Sequence, residues 1–433
     1  MRRIRVITGA ALVSMLLAAA GSSAALRESG TQFGPSARAA TVTIDFWNYW
    51  DGNNAKAISS LIDKFNATHP GIKVKNVTFP WNDLYSKMQA AAAGSGENLP
   101  AVAAGDIAWM AALHRSGRLV NLAPAAKAAK VNLKDFYPEI LKYSRFGAKL
   151  QALPVSTNNL ALFYNKDLFQ KAGLNPNRPP ATWDQLRTDA KKIAALGDGI
   201  QGFEIYTQPG EGLTWQLQPY IWQAGGDFLT KNNRQPAFNN AAGRKALGFL
   251  VDLIQKDHVT SAGQWGAFDK GQAGMRVDGS WMLGVYKDQA PFKFGTAMIP
   301  IPSGGKHATN MGGEQIFVFK SGSTAERSAA TKFALWLAST PVQVQWDIKT
   351  NFMPVRASVA SSKGILGYVK SEPRLRAFVQ QQKYAHARPP IPTYPAVSDA
   401  FSKAIEPAFY GRVSVNQALA NAARDVAAAL LSG

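Results

Sequence analysis

Two strand patterns with a helix pattern between them lie in TVTIDFWNYWDGNNAKAISSLIDKFNATHPGIKVKNVTF, residues 41–79. Apolar and polar residues alternate over 42–46, the period of a half-buried strand. Apolar residues within 58–65 then recur at the spacing of an amphipathic helix face. A second strand pattern follows over 72–79. A strand–helix–strand unit of this kind predicts a mainly parallel sheet covered by helices.

The same alternation continues along the chain, so the sequence predicts an α/β fold throughout. At 433 residues the chain is too long for one ordinary core and favours two domains. Its composition, 46% hydrophobic and 18% charged, is typical of a globular protein and excludes a disordered chain. Further helix patterns lie at 84–93, 107–115, 182–195, 247–254 and 333–337, and a short buried strand lies at 101–104.

The first 24 residues have the layout of a secretory signal peptide. Three Arg precede an apolar run over 6–20, and small residues at 21–24 offer a cleavage site. Residues 25–40 predict a flexible tether, and we expect a secreted, extracytoplasmic protein. Ala20 stands where a lipoprotein signal would carry Cys, and the chain contains no Cys. Three interpretations stay open: release, tethering by an uncleaved signal, or a Cys replaced by Ala20.

The chain is strongly basic, with 48 Lys and Arg against 28 Asp and Glu and a formal net charge of +20. This balance indicates either an anionic partner or surface, or only a solubilising surface charge. The basic residues are scattered, without a run of four, so we expect no nucleic-acid partner.

The sequence lacks the common signatures of enzymes. It contains no HExxH, GxSxG, Walker or GxGxxG motif, and its five His have no metal-ligand spacing. We therefore expect no catalytic residues, no metal site and no cofactor. A glycosidase pair of carboxylates stays open, because such acids need not be close in sequence.

Several segments, in order along the chain, resemble the extracellular solute-binding proteins (family 1) that serve ABC sugar importers. LPVSTNNLALFYNKDLFQKA at 153–172 is similar to the family's inter-lobe segment, and the tail over 378–408 resembles a sugar-binding subgroup. The shorter matches are PATW at 180–183, WQAGG at 222–226, GQAGM at 271–275, VDGSW at 277–281, NMGGE at 310–314, NFMPVR at 351–356, RPP at 388–390 and VSDA at 397–400.

The resemblance implies two hinge-linked α/β lobes, each with a central mainly parallel sheet, that close on a ligand held between them. It implies the maltose/trehalose or glycerol-3-phosphate type of binding protein, a monomer that delivers its ligand to ABC permease subunits. Association with the membrane would follow from the transporter or from an uncleaved signal. The expected organisation is signal 1–24, tether 25–40, lobe one 41–153 plus 300–353, and lobe two 154–299 plus 354–433.

Candidate ligand-binding residues lie where the predicted strands end. A pyranose needs polar groups at its edge and flat aromatic surfaces on its faces. Trp50 and Asp51 follow the first strand, at the side where parallel sheets bind ligands. Asp106 follows the short strand and either contacts the ligand or caps the next helix.

The second half of the chain supplies further candidates. Trp215 lies in a stretch of low charge, and Trp281 follows a turn that presents an indole outward. Gly312 and Gly313 resemble the family's loop whose backbone approaches the ligand. Glu314 either binds sugar hydroxyls or caps a strand. Arg356, at the end of a hinge-like segment, is a charged donor that could span both lobes.

The leading hypothesis is capture of a mono- or oligosaccharide for an ABC importer. An alternative keeps the fold and replaces the sugar by a glycerol phosphodiester or an acidic sugar. The net positive charge of the chain suggests this alternative. A more remote alternative is a secreted carbohydrate-active enzyme or a polyanion-binding surface protein.

Overall fold

The computed structural model describes residues 40–432, so the predicted signal peptide and nearly all of the predicted tether lie outside the described residues. Twelve strands occur in this part of the chain: β1 Val42–Asn48, β2 Ile72–Thr78, β3 Val102–Asp106, β4 Arg145–Phe146, β5 Lys149–Leu150, β6 Leu153–Pro154, β7 Leu160–Asn165, β8 Met275–Gly279, β9 Phe294–Ala297, β10 Thr309–Met311, β11 Glu314–Val318 and β12 Ala385–Ala387.

Helices cover both the first and the second half of the chain. Within 40–432 they are α1 Gly52–Thr68, α2 Trp81–Ala93, α3 Met110–Arg115, α4 Ala123–Ala128, α5 Pro138–Leu141, α6 Lys166–Lys171, α7 Trp183–Ala194, α8 Glu211–Gln223, α9 Ala241–Gln255, α10 Met282–Gln289, α11 Thr324–Leu337, α12 Thr340–Thr350, α13 Ala357–Ala360, α14 Lys363–Ser371, α15 Leu375–Gln381, α16 Tyr394–Phe409 and α17 Val415–Leu431, with short 3-10 helices at Ile107–Trp109, Leu133–Asp135, Lys142–Ser144 and Gln382–Tyr384. No helix in this part of the chain has the length and apolar character needed to cross a bilayer.

The first sheet has five strands in the order β2-β1-β3-β11-β6. β1 pairs in parallel with β2 and with β3, so the predicted β1–α1–β2 unit is confirmed. β11 runs antiparallel to both β3 and β6. The buried side of β1, with Ile44 and Phe46, packs in one core with Ile58, Leu61 and Phe65 of α1. This packing explains the helical spacing of the apolar residues in the sequence.

The second sheet differs from the expectation of a mainly parallel sheet in each lobe. It has three strands in the order β8-β7-β9, and β7 runs antiparallel to both neighbours. The expectation was wrong here because about 110 residues separate β7 from β8. A local sequence pattern can indicate a strand, but it does not give the direction in which a strand so far away pairs with it.

Three chain segments run side by side between the two sheets. The segment after β6 pairs with the other two through backbone bridges, Thr157 with Met353 and Asn158 with Gly312. On the far side, α15 packs against β7 and β9, and α8, α9, α16 and α17 pack on one another. The assignment of residues to two lobes made from the sequence stays a prediction, which these crossings support.

Asp347, on α12, is a buried carboxyl group next to Trp346, which belongs to the same core as Ile44 and Phe46. It is 2% exposed, and both of its carboxylate oxygens lack a hydrogen-bond partner within residues 40–432. Burial raises the pKa of Asp347 well above its ordinary value. The folded chain therefore holds this proton at pH values where the unfolded chain has lost it, and the stability falls as the pH rises above about 4.

We expect Asp347→Asn to raise the melting temperature at pH 8, because an amide has no charge to desolvate. The gain should shrink as the pH is lowered towards 4. Thermal unfolding monitored by circular dichroism at both pH values measures it, with the exposed Asp63→Asn as the control. A lower melting temperature for Asp347→Asn at pH 8 would contradict the expected cost of this buried carboxyl.

Candidate functional site

A cleft of about 380 Å³ lies where the first sheet faces α8 and the turn after β8. Its lining combines aromatic rings with carboxyl and amide side chains. The lining residues are Tyr49, Trp50, Asp51, Asn54, Trp81, Asn82, Asp106, Asn158, Tyr206, Pro209, Gly210, Glu211, Gly212, Trp215, Trp281, Glu314, Phe352 and Arg388.

The first sheet supplies one wall from a single edge. Tyr49 and Trp50 follow the carboxyl end of β1, and Asp106 is the last residue of β3. Because β11 runs antiparallel to β3, its first residue, Glu314, reaches the same edge and pairs with Asp106. Trp50 is 3% exposed and packs on Trp346 with ring centroids 4.6 Å apart, so most of its surface belongs to the core.

Three aromatic rings of the cleft lie directly against glycine backbone. A Cβ atom on Gly279 would come within 2.0 Å of the Trp281 ring, and one on Gly212 within 2.7 Å of the Tyr206 ring. A Cβ atom on Gly312 would lie 2.9 Å from Trp215. Any larger residue at these positions would push the ring away, since such distances are far below van der Waals contact.

Arg388 joins the two walls of the cleft through ion pairs. Its Nη2 donates to Asp106 Oδ1 at 2.5 Å, and its Nη1 donates to Glu211 Oε1 at 2.9 Å. The guanidinium also lies over the Trp215 ring, 4.5 Å from the centroid. The Arg388 side chain is only 2% exposed, so the two carboxylates are needed to stabilise its charge.

Further hydrogen bonds hold this ion pair in place. Tyr394 and Ser398 of α16 donate to the two Glu211 oxygens at 3.1 and 2.5 Å. Tyr143 donates to the carbonyl oxygen of Arg388 at 2.7 Å. Burial alone would lower the pKa of Arg388, but Asp106 and Glu211 outweigh it and raise that pKa.

Glu314 is a buried acid beside this ion pair. It is 4% exposed, and its Oε1 accepts a hydrogen bond from the Tyr49 hydroxyl at 2.9 Å. Burial, and then the neighbouring Asp106 carboxylate, raise the pKa of Glu314 to about 8. Burial likewise raises the pKa of Tyr49 well above its ordinary value, so the hydroxyl is neutral at physiological pH.

Several polar atoms at the cleft lack a partner among residues 40–432. They are Glu314 Oε2, Arg388 Nε and the indole nitrogens of Trp50 and Trp215. Buried polar atoms are nearly always hydrogen-bonded, so unpaired ones at a cleft are positioned to bind a ligand. The arrangement therefore offers acceptors, donors and aromatic faces to a small polar molecule.

Six of the nine residues predicted from the sequence line the cleft together: Trp50, Asp51, Asp106, Trp215, Trp281 and Glu314. Asp106 caps the following 3-10 helix, since its Oδ1 accepts from the backbone nitrogen of Ala108 at 2.8 Å, and its contact with a ligand stays a prediction. Gly312 and Gly313 are not among the residues that line the cleft. A Cβ atom on Gly313, where φ is +147°, would meet the Ser156 oxygen at 2.3 Å, so this glycine permits the crossings to pack.

Arg356 does not line the cleft. Its Nη1 lies 3.4 Å from Asp135 Oδ2, and its guanidinium covers the Phe136 ring at 3.8 Å. Phe136 and Arg356 also form a backbone bridge. These contacts explain the position of Arg356, which is therefore not one of the proposed ligand contacts.

Sequence reasoning missed Arg388, Glu211, Tyr49, Trp81 and Tyr206. Arg388 occurs in the RPP segment at 388–390, which carried the family resemblance but no assigned role. Its partners Asp106 and Glu211 are 282 and 177 residues away in sequence. The spacing of residues within a sequence motif cannot predict contacts between residues so far apart. Within 40–432, no group of three or more His, Asp or Glu is placed to hold a metal ion.

We expect Arg388→Met to lower the free energy of unfolding by about 3–5 kcal/mol, because it leaves two buried carboxylates without their cation. Urea unfolding at pH 7 measures this change. Arg424→Met is the matched control: its ion pair with Asp425 is exposed, so the change should stay below about 1 kcal/mol. Equal effects of the two substitutions would show that the buried ion pair does not organise the cleft.

The chain has relatives among characterised proteins. It is 25% identical over 407 residues to the sn-glycerol-3-phosphate-binding periplasmic protein UgpB of Escherichia coli K12, covering 88% of this chain and 90% of that protein. It is 40% identical to the cyclic alpha-maltosyl-1,6-maltose binding protein from Arthrobacter globiformis, with a TM-score of 0.77 over 91% of this chain and 100% of that structure.

The GacH receptor of Streptomyces glaucescens, whose structures include a complex with acarbose, is 26% identical, with a TM-score of 0.80 over 90% of this chain and 99% of that one. These structures share the two-lobed α/β fold, so that prediction is confirmed. The family model described as bacterial extracellular solute-binding protein matches residues 50–344, about two thirds of the sequence. The chain therefore belongs to the bacterial extracellular solute-binding protein family, the substrate-capturing components of ABC importers.

Proposed function

We propose that the protein captures a neutral mono- or oligosaccharide in its cleft and delivers it to an ABC permease. The single observation that carries this proposal is the composition of the lining, which combines aromatic rings with carboxyl and amide groups. Rings such as Trp281 offer apolar faces to the C–H groups of a pyranose, and acids such as Asp106 accept hydrogen bonds from its hydroxyls.

The charge of the cleft supports a neutral ligand over an anionic one. Its charged lining residues are the acids Asp51, Asp106, Glu211 and Glu314, and the single base Arg388. Arg388 is already paired with Asp106 and Glu211. A phosphate would thus meet no lining cation within residues 40–432 that lacks a carboxylate partner. The overall charge of +20 therefore does not extend to the cleft, and it gives the phosphodiester alternative little support.

The relatives support the same choice without deciding it. The structure with 40% identity is that of a cyclic alpha-maltosyl-1,6-maltose binding protein, and the GacH receptor was solved with acarbose. The curated relatives named for sn-glycerol-3-phosphate are 24–25% identical. The more similar protein thus takes a saccharide, and the cleft chemistry described above agrees with it.

In this proposal the two lobes close on the ligand, and the closed form binds the permease subunits outside the cell membrane. The ligand stabilises closure because it contacts both walls at once, Asp106 and Glu314 on one and Trp215 and Trp281 on the other. The protein acts as a monomer and without a catalytic step or cofactor. Its extracytoplasmic location follows from the family and from the predicted signal at 1–24.

A ligand panel tests the proposed function. Maltose, maltotriose, cyclic alpha-maltosyl-1,6-maltose and acarbose are compared with sn-glycerol-3-phosphate and glycerophosphocholine by thermal shift and calorimetry. We expect a neutral saccharide to bind and to stabilise the protein by about 2.7 kcal/mol at one hundred times its Kd. The saccharide should be recovered unaltered after binding. Binding of the phosphate compounds without any saccharide would overturn the proposal, and hydrolysis of the saccharide would favour an enzyme.

We expect Gly279→Ala to weaken binding of that saccharide about tenfold or more, because the added Cβ would displace the Trp281 ring. Calorimetry measures the affinity, and near-ultraviolet circular dichroism reports the displaced indole. Gly248→Ala in α9 is the matched control, since its Cβ would meet nothing within 4 Å. It should leave the affinity unchanged and stabilise the helix by about 0.5–1 kcal/mol. Unchanged affinity in Gly279→Ala would remove Trp281 from the proposed contacts.

A further inference from the structure

Asp106 and Glu314 form a cross-strand pair of acids at the edge of the cleft. They are direct partners in the antiparallel register of β3 and β11. Directly opposite residues of such a pair place their side chains on the same face, with Cβ atoms about 5 Å apart. Two negative charges in this position repel each other, and partial burial strengthens the repulsion.

The surroundings of the two acids are different. Asp106 accepts hydrogen bonds from the Arg388 guanidinium and from the backbone nitrogen of Ala108, and both donors stabilise a negative charge. Glu314 receives a hydrogen bond from the neutral Tyr49 hydroxyl, and its Oε2 has no partner among residues 40–432. Within residues 40–432, Arg388 is the one base that lines the cleft, and it is committed to Asp106 and Glu211, which leaves Glu314 without a charge partner there.

We propose that Glu314 is protonated in the protein that receives ligand, and that its Oε2 donates a hydrogen bond to a ligand oxygen. This inference rests on the proposed capture of a saccharide and adds a specificity to it. An ionised carboxylate only accepts hydrogen bonds and selects hydroxyl groups, whereas a protonated one can donate. It can therefore also bind an oxygen with no hydrogen to give, such as the ring or glycosidic oxygen of a sugar.

The groups around Glu314 act in both directions. Burial and Asp106 on β3 disfavour a second negative charge, whereas the hydrogen bond from Tyr49 favours the ionised form. Asp51 before α1 and Glu211 on α8 are further acids of the same cleft. Arg388 opposes them, but it is shared between Asp106 and Glu211. Burial and Asp106 raise the pKa of Glu314 to about 8, in agreement with the geometry.

The proton on Glu314 can be measured without any ligand. In protein labelled with ¹³C at the glutamate carboxyl groups, the NMR resonance that is missing from Glu314→Gln identifies this residue. We expect it to titrate with a midpoint near pH 8. A midpoint below pH 6 would overturn the proposal. Because this readout needs no sugar, it decides the state of Glu314 even if maltotriose does not bind, an outcome that counts against the proposed function instead.

Calorimetry with maltotriose then tests the hydrogen bond. From pH 6.5 to pH 9.5 the wild-type affinity should fall about thirtyfold, as expected when only the protonated form binds. Glu314→Gln keeps a donor at this position, so its affinity should stay within about threefold of wild type at pH 6.5 and be independent of pH. The exposed Glu97→Gln should behave as wild type. A Gln variant that binds tenfold more weakly at pH 6.5, with a flat wild-type profile, would show that Glu314 is an ionised acceptor.

Discussion

The buried guanidinium of Arg388 is the constraint around which the cleft is arranged. A charge that is 2% exposed is tolerated only where carboxylates compensate it, and here they come from two different parts of the fold. Asp106 ends β3 of the first sheet, and Glu211 begins α8 on the opposite side. An opening of the cleft that separates the end of β3 from the start of α8 would therefore break a buried ion pair.

This constraint also decides how the neighbouring acids behave. Since Arg388 is occupied, the Glu314 carboxyl group has the Tyr49 hydroxyl as its one hydrogen-bond partner within residues 40–432, and burial raises its pKa to about 8. The same commitment leaves a cleft with four acids and one base in a chain of net charge +20. Net charge describes the surface that solvent sees, and it is a poor guide to the interior of a binding site.

The sequence predicted what depends on local pattern. Periodicity identified β1, α1 and β2, and the end of a parallel strand placed Trp50, Asp51 and Asp106 at one edge. It could not predict that Trp50 packs mainly on Trp346, because core and site residues share the same local pattern. The sequence also could not predict the direction of β8 or the ion pairs of Arg388. Both depend on contacts between residues more than one hundred positions apart, which no local pattern records.

Glycine main chain lies against the rings of Trp281, Tyr206 and Trp215, and this contact limits how the ligand specificity of the cleft can change in evolution. Where an aromatic ring rests on another side chain, a small substitution in that side chain can shift the ring by a fraction of an ångström. One side of each of these rings rests instead on main chain, at Gly279, Gly212 and Gly312. On that side, gradual adjustment through a supporting side chain is not available. A descendant that adopts another ligand must exchange the aromatic residue itself or rebuild the turn beneath it, so its specificity should change in discrete steps.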